Sequence, residues 1–378
     1  MRFKIILCLS IGISVYFLLP GCKSEKGNKS SLIVFDVSTS YPEKEIRMEE
    51  IADIEYLQLE LDDDFLFVNA PRIVTSDKII INRDGDVLIF SRDGKTISKF
   101  NRKGNGPGEY IYIATLLYDE LSDEIFIESR DKLFVFSSSG DFRRTIPLFG
   151  IMNNMNCQLV NFDSETLLLY DDYNLSPSPF LFISKKDGHV VDSIHTPKGK
   201  AVVLFAIVNE SHILFSASYR MVKHNNGYLL TDYSIDTVYL LSHDKNLSPI
   251  FVRRPKIQSM DPVVYLNSFI EAGNFEFLSA VTVREENGRL PKTYLMRDKK
   301  TGSVYRQKIV FNDYKGKEVY LSPETIAGTQ DSKLGLIVLG LAELQDANSE
   351  NKISGKLKQM VENSDEDGND IYMLLHFK

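Results

Sequence analysis

Short apolar runs separated by polar turns recur along this chain from Ile54 almost to its end. The stretch IIINRDGDVLIFSRDGKTISKF from Ile79 and the stretch IFIESRDKLFVFSSSGDFRRTI from Ile125 show the unit most clearly, at an offset of 46 residues. Each has an apolar strand, a turn containing Arg-Asp, a second apolar strand, a polar turn with glycine and a third strand. Arg83 and Asp84 in the first match Arg130 and Asp131 in the second. Looser copies start at Leu167, Ile213, Phe275 and Leu334, which makes six units. Repeats of about 40 to 50 residues with four short strands each predict an all-β fold, a six-bladed β-propeller, because radial repetition leaves only short, protected sheet edges. Packed β-sandwiches would not need a period of this length.

A ring has to close. IEYLQLEL, residues 54–61, precedes the first unit, and IYMLLHFK, residues 371–378, follows the last. Neither makes a blade alone, so both termini are predicted to lend strands to one blade. The β pattern breaks once, over residues 342–363, where Ile353, Leu357, Met360 and Val361 fall at helical spacing. This predicts a short amphipathic helix inserted in the last blade and covering its own domain.

The start of the chain is different. Arg2 and Lys4 precede an apolar run from Ile5 to Leu19, then Gly21 and Cys22, the layout of a secretory leader. The run is too short for a membrane span of about 20 residues. LLPGC resembles a bacterial lipobox, in which the cysteine is acylated and becomes the new N-terminus; Pro20 departs from the small or β-branched residue usual there. Cys22 is therefore the expected lipidation site, and two acyl chains suffice for stable anchoring. Residues 23–31, KSEKGNKSS, have no apolar side chain and read as a tether. The expected organisation is a leader over 1–21, a lipidated tether over 22–45 and a propeller over 46–378, held at the cell envelope on the outer membrane.

Composition narrows the function. A net charge of −8 argues against a nucleic-acid partner. Apart from Cys8 in the leader and Cys22, only Cys157 remains, so neither an internal disulfide nor a cysteine zinc cluster is expected. No G-x-S-x-G or H-E-x-x-H occurs, and the six histidines are scattered; His376, in an apolar terminal strand, reads as a core histidine. SDEDGND, residues 364–370, places its glycine too early for an EF-hand loop and reads as a solvated acidic turn. The run Asp62 to Asp64 reads the same way. No catalytic residue, metal site or cofactor is expected.

The glycine-rich stretch NRKGNGPGEY, residues 101–110, could suggest a phosphate cradle. A Walker loop needs Lys followed by Ser or Thr after its last glycine, but Gly108 is followed by Glu109 and Tyr110. Gly104, Gly106 and Gly108 run G-x-G-x-G into a strand, not G-x-G-x-x-G into a helix. The stretch instead reads as the connection from the outer strand KTISKF of one blade to the inner strand of the next.

A lipobox-like start, a KGNGPGEY loop after the first blade and SGKLKQM leading towards HFK together resemble a family of six-bladed β-propeller lipoproteins, related to NHL-type propellers, from Gram-negative anaerobes. The resemblance covers nearly the whole mature chain and implies a fold without a settled activity. DEDGND at 365–370 departs from the Asp-Asn-Pro the family tends to carry before its last strand.

Turns between the second and third strands of a blade share one face with the connections between blades. Arg83, Asp84, Arg102, Glu109, Tyr110, Arg130 and Asp131 are thus expected on one surface, where paired charges and a tyrosine suit a glycan, a peptide or an envelope protein. Repeated Arg-Asp turns also have a purely local use, in hydrogen bonds that shape the turn. The expected function is a non-catalytic binding or assembly module; the alternative is a metal-assisted hydrolase or lactonase with its site at the central channel.

Overall fold

The repeats fold as six sheets in a ring, a β-propeller, in the computed structural model, which describes residues 32–60, 73–148, 158–171, 178–197, 205–209, 212–215, 219–232, 234–329 and 331–378. The expected leader, Cys22, the tether to Ser31, the Asp62 to Asp64 run and Cys157 lie outside the described residues. Strands β1 (Ile33–Asp36) and β2 (Glu43–Arg47), a one-turn helix α1 (Met48–Ile51) and β3 (Ala52–Gln58) come first. Blade one is β4 (Ile73–Val74), β5 (Lys78–Arg83), β6 (Asp86–Ser91) and β7 (Thr96–Asn101). Blade two is β8 (Thr115–Asp119), β9 (Glu124–Ser129), β10 (Lys132–Ser137) and β11 (Phe142–Pro147). Blade three is β12 (Gln158–Asn161), β13 (Thr166–Tyr170), β14 (Phe180–Ser184) and β15 (Val190–Ile194). A hairpin, β16 (Phe205–Asn209) and β17 (His212–Phe215), precedes blade four, which is β18 (Met221–His224), β19 (Gly227–Leu230), β20 (Thr237–Ser242) and β21 (Leu247–Arg254). Blade five is β22 (Val264–Ala272), β23 (Phe275–Thr282), β24 (Lys292–Asp298) and β25 (Val304–Phe311), with β26 (Tyr314–Val319) folded back on β25. After α2 (Pro323–Ile326), blade six takes β27 (Leu334–Leu339), then α3 (Leu341–Ser349) and α4 (Gly355–Asn363), and ends with β28 (Ile371–Phe377).

The hydrophobic pattern follows from a strand's place in its blade. The second strands, such as β9, are buried on both sides because other blades pack on both faces of the sheet. The fourth strands, β7 and β11, bury only Phe100 and Ile146 and are otherwise exposed or half-exposed. The turn between third and fourth strands also repeats. Ser91 N–H donates to Lys95 O and Gly94 N–H to Ser91 O; Ser137 with Asp141 and Gly140 repeats this in blade two, as does Ser242 with Asn246 and Lys245 in blade four. These turns interlock the ring. Gly140 has φ +85, and a Cβ there would stand 2.7 Å from Phe100 at the end of the preceding blade, so only glycine lets the two blades close up.

The ring closes as the sequence pattern predicts. Blade six is ordered β27-β28-β3, and Ile371 through Phe377 pair antiparallel with Gln58 through Ala52. Val74 forms a parallel bridge to Thr329, which joins the first blade to the chain entering the last.

Four expectations need correction. The boundary at 45/46 falls inside the fold, because β1 pairs in parallel with β21 and β2 with β25 along the outer edges of blades four and five. The fourth unit does not begin at Ile213: β17 pairs with β16 outside the blade sheet, whose first strand is β18. The single helix expected over 342–363 is two, divided where Asn351 and Gly355 take φ of 55° and 59°; Ile353, Leu357 and Val361 are buried as expected. His376 lies on the exposed side of β28, its Nε2 2.8 Å from Glu55 Oε2, so it is not a core residue.

The two faces of the ring differ. Turns joining first to second and third to fourth strands gather on one face and span five residues at most, as at 185–189 and 299–303. The opposite face carries the connections between blades, including 102–114, 255–263 and the segment with β16 and β17, together with α2, α3 and α4. Among the described residues, the long insertions of the fold are on that face.

Candidate functional site

The glycine-rich connection lies on the elaborated face and is held from within. Tyr110 is fully buried, and its Oη donates to Gly85 O at 2.6 Å while accepting the Arg102 N–H at 3.1 Å. The backbone closes around it, with Tyr110 N–H on Arg102 O and Gly104 N–H on Tyr110 O, both at 3.0 Å. Burial raises the Tyr110 pKa, which keeps the hydroxyl protonated as the donor this contact needs. The ring meets Phe136 edge-on at 5.9 Å. Tyr110 is therefore the post on which the loop is wound, not a surface contact.

Glu109 Oε2 accepts the Gly106 N–H at 2.8 Å. A Cβ at Gly104 would stand 2.0 Å from the same oxygen, and Gly108, with φ +76, lies under the Phe142 ring. The glycines thus make room for a carboxylate that belongs to the loop itself, and that carboxylate occupies the amide an outside anion would need.

The remaining residues expected on this face are at its surface. Asp84 and Arg102 are exposed, Arg83 is half-buried with Nε 4.0 Å from Asp84 Oδ2, Arg130 is exposed and Asp131 half-buried. Arg102 reaches across to Gly140 O at 3.3 Å. The connection bridges the two Arg-Asp turns, since Ile111 and Tyr112 donate their N–H groups to Ser129 Oγ. The matching of the turns shifts by one residue, however. Asp84 and Arg130 are the corner residues, with φ of 50° and 59°, after Arg83 pairs with Asp86 and Ser129 with Lys132.

A second group was not foreseen. Arg220, 2% exposed, lies just before the inner strand of blade four on the elaborated face. Its guanidinium stands 5.8 Å from the Tyr170 ring and 5.1 Å from the Tyr265 ring, and Nη1 donates to Tyr265 Oη at 2.8 Å. Tyr170 Oη donates to Asp232 Oδ2 at 2.8 Å. Gln158, which opens β12, accepts the Arg220 and Met221 N–H groups on Oε1 and returns Nε2 to Met221 O. Blades three, four and five therefore meet around one buried cation stabilised by two aromatic faces.

Arg253, 4% exposed, lies on the same side, with Nη1 4.0 Å from Asp236 Oδ1. Burial lowers its pKa, against the pull of Asp236 and Tyr265. Glu128, the last residue but one of β9, is 7% exposed, and burial raises its pKa while Thr115 opposes the shift. Thr115, Gln158, Arg220 and Tyr265 all stand at or beside the start of an inner strand. A polar residue opening successive inner strands was the signal in the sequence.

The profile of a family described as a domain of unknown function, DUF4934, matches residues 32–376. The chain belongs to the DUF4934 family. Among solved structures, it resembles a Bacteroides fragilis protein described as exported at 16% identity, with a TM-score of 0.63 over 92% of this chain and 100% of that one. A member of the DUF4221 family from Bacteroides vulgatus is similar at 11% identity, with a TM-score of 0.47 over 87% of this chain and 97% of that one. None of the curated proteins matches.

In this DUF4934 member, then, the buried cation and the buried carboxyl are brought to one face of the ring by strand ends from neighbouring blades. Among the described residues, no group of three or more His, Cys, Asp or Glu stands where it could hold a metal ion. No helix among them is long and apolar enough to cross a membrane.

Proposed function

We propose that this DUF4934 protein is a non-catalytic binding or assembly module, an NHL-like lipoprotein of the cell envelope held by acylated Cys22, which recognises a glycan, a peptide or an envelope protein through its elaborated face. The observation that carries the reading is the asymmetry of the ring among the described residues, with turns of five residues at most on one face and the long connections on the other. A scaffold needs only tight turns, and long connections on a rigid frame are where proteins place recognition. Arg83, Asp84, Arg102, Arg130 and Asp131 form the rim of that surface, and the Arg220 group is its rigid centre. The exported description of the Bacteroides fragilis neighbour supports an extracytoplasmic location.

The test is capture of partners from the native envelope by cross-linking. Arg83→Ala with Arg130→Ala, on the elaborated face, is expected to lose the captured species. Lys186→Ala with Lys300→Ala, in exposed turns of the plain face, is expected to keep them. Equal behaviour of the two variants would sink the reading. Chelator-sensitive hydrolysis by the wild type would replace it with the metal-assisted hydrolase. For the anchor, Cys22→Ala should release a folded protein from the membrane fraction, and retention there would count against acylation.

A further inference from the structure

An acidic protein holds a cavity lined by cations. Where the end of β2, the β25–β26 turn and the link between α3 and α4 meet, an open cavity of about 470 Å³ is lined by Arg47, Lys315 and Lys352 together with Asn312, Asn351 and Ser354. No carboxylate lines it, although the chain as a whole carries a net charge of −8. Buried Phe311 and Ile353 also line it.

The walls are fixed before any ligand arrives. Lys315 N–H donates to Lys352 O at 2.8 Å, and Ser354 N–H to Asp313 O at 2.9 Å. Ser354 Oγ donates to Asn312 O at 3.3 Å, and Asn312 N–H to Glu49 Oε1 at 2.8 Å. Arg47 spends Nη1 on Asn312 Oδ1 at 2.5 Å, which orients the guanidinium along the wall. The acidic neighbours hold the rim: Glu49 accepts the Asn312 N–H and Glu50 the Arg47 N–H, Asp313 turns its carboxylate against Gly355, and Glu350 pairs with Lys352, a contact that an entering anion exchanges for its own. Three segments far apart in sequence thus converge with cations, side-chain amides and a hydroxyl.

We propose that this cavity binds an oxyanion, a phosphate or sulfate ester carried on a small polar molecule of sugar size. Arg47 supplies the planar fork that suits such oxygens, Lys315 adds a point charge, Lys352 adds a second by exchanging Glu350 for the ligand, and the amides and hydroxyl serve the carrier. A bare ion would leave most of the volume empty, since small-molecule sites span roughly 300 to 1,000 Å³. The site is separate from the Arg220 group and stands without the reading given above for the elaborated face.

Calorimetry at low and moderate salt with glucose 6-phosphate, glucose 6-sulfate, inorganic phosphate and glucose tests it. The esters are expected to bind, inorganic phosphate to bind more weakly and glucose not at all, with affinity falling as salt rises. Lys315→Gln with Lys352→Gln, both exposed positions, should weaken ester binding at least about tenfold without lowering the melting temperature, the loss of two charge-assisted contacts. Lys315→Arg should retain binding. Arg220→Met should bind the esters like the wild type, which separates this site from the centre of the elaborated face. Equal binding of glucose, no binding of either ester, or unchanged binding by the double variant would overturn the proposal, and inorganic phosphate binding as tightly as the esters would remove the carrier from it.

Discussion

Two glutamates on one strand show how place in the fold decides chemistry at the residue scale. Glu124 begins β9 and meets the Arg144 guanidinium with both oxygens, Nη2 to Oε2 at 2.8 Å, which lowers its pKa. Glu128 is the last residue but one of β9, and burial raises its pKa. The signs of their pH dependence are opposite. Glu124 contributes stability that is complete above the unfolded glutamate value of about 4.3 and is lost as pH falls through its lower folded value. Glu128 in its protonated form is stable below about pH 4.3, and that contribution is lost as pH rises through its higher folded value. Glu128→Gln should therefore raise the melting temperature at pH 7, with the gain vanishing below about pH 4. Glu124→Gln should cost about 1.5 to 3 kcal/mol at pH 7 by removing charge-assisted bonds, a loss that shrinks as the medium is acidified. Melting curves from pH 3 to 8 check both, and parallel profiles for the two variants would contradict this assignment. In the glycine-rich connection the same scale makes Glu109 structural. Gly104→Ala and Glu109→Ala should each destabilise by about 1 to 3 kcal/mol, and together by clearly less than their sum, because both remove one contact. A double-mutant cycle in denaturant measures this, and additive losses would show that the carboxylate and the glycine act separately.

At the scale of elements, what could be read from the sequence depended on whether an element announces itself. Second strands such as β5 and β9 are largely buried and end in Asp-Gly or Arg-Asp turns, so the runs IIIN and IFIE and their turns stood out. β1 and β2 did not, because a strand that pairs in parallel along an outer edge needs no hairpin turn and buries little; of β1 only Phe35 is buried. The β16–β17 hairpin misled for the opposite reason, having a strand's apolar run without a place in a blade. Arg220, Tyr170 and Tyr265 come from three blades, and no local pattern joins residues that meet only once the ring has formed. Two glycines with positive φ, one in a repeated turn and one inside β26, carry a prediction of their own. Gly140 and Gly316 share a positive φ, +85 and +80, but a Cβ meets Phe100 at 2.7 Å in the first and nothing within 4 Å in the second. Gly316→Ala should cost only the backbone strain, about 1 kcal/mol, whereas Gly140→Ala should cost about 2 to 4 kcal/mol by parting blades one and two. Denaturant midpoints compare them directly, and equal losses would mean that the turn does not interlock the blades.

For the whole molecule the decisive feature is how the two ends of the chain are used. The N-terminal part is laid along three successive blades, β1 on blade four, β2 on blade five and β3 in blade six, while β28 is the middle strand of the closing sheet. Their weights differ. β1 adds four paired residues and one buried side chain, Phe35, so its loss should cost about 2 to 3 kcal/mol on the scale of one buried aromatic. β28 pairs on both sides, and Ile371, Tyr372, Met373, Leu374 and Leu375 are all fully buried. At about 1.5 to 3 kcal/mol for each buried side chain, their removal amounts to roughly the 5 to 15 kcal/mol that keeps a domain folded at all. Truncation after Asp370 should therefore abolish cooperative unfolding, while a chain lacking residues 32–36 should still unfold in one transition at a lower denaturant midpoint. Adding residues 371–378 back as a peptide should restore the transition, because the ring then lacks only a covalent bond. A truncated chain that unfolds cooperatively without the peptide would show that blade six does not close the ring.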